Sequence, residues 1–179
     1  MKTKTVNVYS YLELSKEAKL RVLHDLRVQA ETDLDFYSDE ILKSMLAIAA
    51  ECGLTVKDYS FGVYDQNWKF VVDGDNADLS GDSASAWFGN ILGDKGYKAY
   101  GTEFKGSCGF TGVCWDDDLA ESVWKSLLSG KSVKRAFDCM AYAACKLLEN
   151  ALNYRQSEEC ILGMLDMDEE IYLENGELA

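Results

Sequence analysis

The chain has 179 residues, 47% of them hydrophobic, and a formal net charge of −13. That length predicts one domain with a sizeable core, and the composition argues against disorder. No apolar run approaches the roughly 20 residues that span a bilayer, and a field of this sign repels nucleic acid phosphates, whose binding relies on lysine and arginine.

The opening Met1-Lys-Thr-Lys-Thr-Val6 puts no apolar stretch behind its lysines, so it does not read as a secretory signal, and a cytoplasmic address is expected. Val6 to Tyr11 alternates like a short strand. Ser15 then reads as the N-cap of a helix to about Ala30, with Ala18, Val22, Leu26 and Ala30 on one stripe and Leu23 beside them. An acidic linker, Glu31 to Asp35, precedes a second helix capped by Ser38 and stopped by Gly53. The short connection predicts a helical hairpin.

From Leu54 the apolar period becomes two. Tyr59, Phe61 and Val63, then Trp68, Phe70 and Val72, predict two antiparallel strands around an Asp65-Gln66-Asn67 turn. Gly74 to Gly112 is rich in glycine, serine and aromatics, and further strands and loops are expected there. Asp118-Leu-Ala-Glu121 resembles a capping box for a helix ending at Gly130. Ser132 caps a long helix to about Tyr154, whose buried face runs from Val133 through Phe137, Met140, Ala144 and Leu148 to Ala151. Ser157 opens a short acidic helix, and Ile171 to Leu173 reads as a last strand. The expected class is α+β: a helical hairpin and further helices on a small antiparallel sheet, in a single domain of residues 1–179.

Candidate chemistry is sparse. Of the six cysteines, Cys52, Cys139, Cys145 and Cys160 lie in helical patterns, where a thiol acts as a small hydrophobe. Cys108 and Cys114 lie in the Gly-rich stretch, and metal or redox use is the lesser reading for all six. His24, the one histidine, sits just off the first helix's apolar stripe with no fixed nucleophile to serve. Asp73-Gly-Asp75-Asn-Ala-Asp78 suggests a calcium loop but departs from the EF-hand pattern at Ala77, Asp78 and Ala84, so a solvated turn is expected. Asp116, Asp117 and Asp118 suit a helix N-terminus, where negative charge is welcome. No glycine pattern matches a phosphate loop, and no catalytic residue, metal or cofactor is expected. Trp68, Trp87, Trp115 and Trp124 lack neighbouring bases, so core or protein-interface use is expected.

Charge is unevenly spread. Lys2, Lys4, Lys16, Lys19, Arg21 and Arg27 outnumber the acids up to Arg27, whereas Gln156 to Ala179 contains no lysine or arginine. Such an acidic end attracts a basic protein surface and speeds encounter with it. Plain solubility is the bland reading. The carboxylates expected to meet a partner are Asp73, Asp75, Asp78, Asp116, Asp117, Glu158, Glu159, Asp168, Glu169 and Glu170.

Tyr11-Leu-Glu-Leu-Ser-Lys-Glu-Ala-Lys19 resembles the Y-x-E-L-S-x-E-A-K opening of a family of uncharacterised phage and mobile-element proteins. Tyr154-Arg-Gln-Ser-Glu-Glu-Cys160 and Glu170-Ile-Tyr-Leu-Glu-Asn-Gly176 are similar to that family's ending. The middle departs from it: Asp65-Gln66-Asn67-Trp68 stands where a W-S-Q-G-D-G-A run is expected. In size and charge the chain also looks like the type II-A anti-CRISPR proteins. The resemblance implies a protein that inhibits a host defence nuclease, a Cas9-type effector with its guide RNA, through an acidic surface that competes with DNA. Direct nucleic acid binding, membrane association and enzymatic activity are not expected. An antitoxin or phage accessory regulator with one specific protein partner is the alternative; a metal-dependent hydrolase using the aspartate clusters ranks third.

Overall fold

A computed structural model describes residues 7–32, 34–106, 108–167 and 171–179. The α+β class holds. A single 3₁₀ turn (Tyr11–Glu13) leads into α1 (Lys16–Thr32) and α2 (Leu34–Glu51). The antiparallel pair β1 (Thr55–Ser60) and β2 (Lys69–Asp73) follows, then α3 (Gly81–Asp94). A second antiparallel pair, β3 (Lys98–Tyr100) and β4 (Glu103–Lys105), precedes α4 (Asp116–Leu128), α5 (Val133–Arg155) and α6 (Glu158–Met167).

The chain divides into two compact units, one from Met1–Leu34 and Asn150–Ala179, the other Asp35–Glu149. In the first, Leu14, Ala18, Val22 and Tyr172 are buried together, and Tyr9, Tyr11, Leu26 and Leu165 pack on them. The core of the second joins Ile41, Met45 and Ile48 of α2 to Phe70 and Val72 of β2. Phe88 and Leu92 of α3, Leu119 and Val123 of α4, and Phe137 and Met140 of α5 complete it. Each such large side chain contributes about 1.5–3 kcal/mol on burial.

Several boundaries follow from the local chemistry that announced them. Ser15 Oγ accepts the Ala18 N–H (3.2 Å), Ser132 Oγ that of Arg135 (3.4 Å) and Ser157 Oγ that of Cys160 (3.2 Å). At Gly53 (φ +64°) the Leu54 N–H reaches Ala49 O (2.9 Å) and the Gly53 N–H reaches Ala50 O (2.9 Å). These two bonds form the paired closure of a left-handed C-terminal cap, and the same pair recurs at Gly130.

Other expectations are corrected. Ser38 caps nothing: α2 begins at Leu34, because Tyr37 packs onto the core and carries the helix upstream. The supposed linker Glu31 to Asp35 is therefore largely helical, with Asp33 outside the described residues. The Gly/Ser stretch contains α3, whose Ala84, Phe88 and Leu92 are fully buried. Helix α4 starts at Asp116, so Asp118 lies inside its first turn. Among the described residues the two terminal strands are represented by single bridges, Tyr9 with Tyr172 and Tyr172 with Leu178; Val6 lies outside the described residues. The β1–β2 ladder pairs Thr55 with Asp73 and Ser60 with Lys69, and is broken by an irregularity between Val56 and Asp58. That irregularity resets the pleat, so Val56 faces the core while Tyr59 reaches the rim, 46% exposed. Among the described residues no helix is long and apolar enough to cross a membrane.

Candidate interaction surface

Asp73 ends β2, and the chain then turns at Gly74, whose N–H donates to Asp73 Oδ1 (3.0 Å). The loop is fixed at both its centre and its end. Ala77 is fully buried, its carbonyl accepts the Lys134 N–H (3.0 Å), and the Leu79 carbonyl accepts the Val133 N–H (2.9 Å). These bonds satisfy amides that the first turn of α5 would otherwise leave without acceptors. The consequence is a rigid ledge with Asp73, Asp75 and Asp78 exposed on it. Asp78 Oδ1 accepts from Lys134 Nζ at 2.8 Å. That hydrogen bond, then the charges of Asp78 and Asp73, hold the ammonium above the ordinary lysine range. Asp73 and Asp78 thus share one cation, and Asp75 forms no ion pair among the described residues.

Asp116 and Asp117 behave differently. Asp116 is fully buried and accepts three hydrogen bonds, from the N–H groups of Phe110 (3.0 Å) and Thr111 (2.7 Å) and from Thr111 Oγ1 (2.8 Å). Asp117 Oδ1 accepts the Cys108 N–H (2.8 Å). Both carboxylates pull the 108–111 segment onto the start of α4. Asp116 is withdrawn from the partner-facing set on this ground: no partner reaches it. Burial, with the charges of Asp117 and Asp116 behind it, pushes the Cys108 thiol up.

In the other unit, Glu158 and Glu159 occupy the first turn of α6, exposed and favourably placed against the helix dipole. Asp168, Glu169 and Glu170 lie outside the described residues. His24 is exposed on α1. Among the described residues no three His, Cys, Asp or Glu side chains converge to hold a metal ion.

The tryptophans serve packing. Trp124 is buried with Nε1 donating to Gly101 O (3.0 Å), Trp68 packs on Tyr142 with ring centroids 5.3 Å apart, and Trp115 meets Tyr37 edge-on at 6.1 Å. Sequence reasoning missed the inward turn of Asp116. Thr111, flanked by Gly109 and Gly112, was the available signal, since a loop so built needs an acceptor for its amides. No family model matches the chain, and neither a curated protein nor a solved structure matches it.

Proposed function

We propose that this chain is a binding protein, without a catalytic step of its own, that blocks a host defence nuclease in the bacterial cytoplasm. A Cas9-type effector with its guide RNA is the foremost target, met at the basic channel that otherwise holds nucleic acid. The observation that carries this reading is the ledge of Asp73, Asp75 and Asp78, exposed and pinned to α5, in a chain of net charge −13. A loop whose backbone is pinned loses little backbone entropy on docking, and a negative field steers a basic surface towards its carboxylates. Glu158 and Glu159 add exposed negative charge in the other unit.

The test is target-DNA cleavage by a panel of guide-loaded Cas9 proteins, with and without this chain, at low and moderate salt. The reading expects dose-dependent loss of cleavage that weakens as salt rises. Full cleavage across the panel overturns it and moves the antitoxin or regulator reading, with a single dedicated protein partner, to the front.

A further inference from the structure

Strand β2 has a strand neighbour on one side only: among the described residues its ladder partner is β1. Its other edge faces a groove of about 320 Å³ lined by Phe70, Val71, Val72, Ser132, Lys134, Arg135 and Asp138. That volume falls within the range of small-ligand and peptide-residue sites, about 300–1,000 Å³. The Phe70 N–H points into this groove, where Asp138 Oδ1 accepts it at a long 3.4 Å. Strand residues alternate in the edge to which their N–H and C=O point. The polar backbone groups of both Phe70 and Val72 therefore face the groove, and those of Val71 face β1.

The two edges of this ladder are protected unequally. The β1 edge is broken by its irregularity between Val56 and Asp58 and carries Lys57 and Asp58, devices that discourage further pairing. The β2 edge is regular, and its centre, Phe70-Val71-Val72, holds no charge; Val71 is 45% exposed. The groove's charged rim consists of Lys134, Arg135 and Asp138. Lys134 is held by the largely exposed Asp78 and Arg135 by Asp138, which also meets the Phe70 amide. Asp138 thus stands where the carbonyl of an added strand would lie. Solvated pairs of this kind are worth little and exchange partners readily.

From this geometry we infer that the β2 edge is a docking site for an extended peptide segment of a partner protein, with apolar and acidic side chains in alternation. Its main chain continues the sheet at Phe70 and Val72, its apolar side chains fill the groove, and a carboxylate reaches Lys134 and Arg135. The inference does not require the nuclease reading, because a strand edge and the groove beside it take the peptide, although the groove shares Lys134 with the ledge through its ion pair with Asp78.

The probe is an acetylated, amidated hexapeptide of alternating glutamate and valine, titrated into the full chain and followed by backbone amide resonances. Saturable shifts at Phe70 and Val72, with new exchange protection there, are expected. They should vanish when alternate peptide nitrogens are methylated, a change that leaves the protein's own folding untouched. The double variant Lys134→Ala/Arg135→Ala should bind at least about tenfold more weakly, since a single charge-assisted hydrogen bond already carries that order of affinity. The absence of saturable shifts up to about 1 mM, where weak encounters still register, overturns the inference. Equal binding of the methylated peptide does the same, as do shifts confined to other residues. Concentration-dependent β2 shifts without peptide would make a second copy of the chain the occupant, and would overturn the partner-peptide assignment.

Discussion

Asp116 holds Thr111 at two points, accepting its backbone N–H at 2.7 Å and its hydroxyl at 2.8 Å. The Thr111 oxygen lies 3.2 Å from that of Ser44, itself fully buried in α2, so one carboxylate ties a loop, α4 and α2 into a single polar network. Removing it leaves the Phe110 and Thr111 amides without their acceptor, each costing about 1–3 kcal/mol where buried, and turns the Thr111 hydroxyl to the Ser44 oxygen. Asp116→Ala should lower unfolding stability by about 3 kcal/mol in urea titration, and Asp116→Asn, which keeps one acceptor oxygen, by about half that. A change below about 0.5 kcal/mol for the alanine variant, the range of ordinary surface substitutions, would contradict the network.

Gly106 and Gly53 need glycine for opposite reasons. A Cβ on Gly106 would lie 1.5 Å from Tyr97 Cδ1. That ring cannot move aside, since it is buried between Phe104 and Phe110 with centroids 5.2 and 5.5 Å away. Gly53 has open space around its Cβ position but sits at φ +64°. Gly106→Ala should therefore cost about 3 kcal/mol through overpacking, and Gly53→Ala about 1 kcal/mol through backbone strain alone. The cost of Gly106→Ala should shrink in a Tyr97→Ala background and that of Gly53→Ala should not, a double-mutant cycle read by chemical denaturation.

The elements that were legible in sequence are those whose signals are local. Helix α5 carries its own cap at Ser132 and a stripe through Val133, Phe137, Met140, Ala144 and Leu148, so nothing distant was needed to place it. Gly53 and Gly130 likewise announce their helix ends. Helix α3 was obscured because Gly81, Ser83, Ser85 and Gly89 mimic a loop, although Ala84, Phe88 and Leu92 repeat at helical spacing. Tyr9 and Tyr172 alternate like strand residues, yet among the described residues their bridges, Tyr9 with Tyr172 and Tyr172 with Leu178, join the two ends of the chain, a pairing that sequence periodicity cannot register. In the candidate site, the exposure of Asp73, Asp75 and Asp78 followed from their glycine-bearing turn. The burial of Asp116 did not, because it depends on how the 108–111 segment folds back over α4.

Alkaline pH should expose a second buried group. Burial in the core, with Glu51 beside it, pushes the Cys52 thiol from its ordinary 9.0 up to about 12. Burial also raises the Tyr97 hydroxyl, against the Gly109 N–H that favours its ionised form. Both groups hold their protons more tightly folded than unfolded. Their contribution is complete below about pH 9 and is lost as pH rises towards 12, at up to about 1.4 kcal/mol per pH unit for each group. Unfolding free energy measured from pH 8 to 11 should fall accordingly, and Cys52→Ala should flatten the thiol's share of that slope. Disulfide reagents at neutral pH should modify exposed Cys114 first and reach Cys52 only on unfolding.

The acidic ledge can be separated from the rest of the surface by charge reversal. Asp73, Asp75 and Asp78 are exposed, and their fixed frame runs through backbone bonds of Ala77 and Leu79, so side-chain changes leave that frame in place. Asp78→Lys breaks the ion pair with Lys134, an exposed contact worth no more than about 1 kcal/mol. The triple variant Asp73→Lys/Asp75→Lys/Asp78→Lys should therefore fold, with thermal stability near that of the parent. In the cleavage assay it should need at least about tenfold more protein for the same inhibition, because steering and surface complementarity both reverse sign there. Its remaining inhibition should also depend less on salt than that of the parent chain. Glu158→Lys/Glu159→Lys, made in the other unit, provides the comparison: a loss confined to the first variant places the contact on the ledge, and a loss confined to the second places it on α6. A folded triple variant with undiminished potency and an unchanged salt response would remove the ledge from the mechanism.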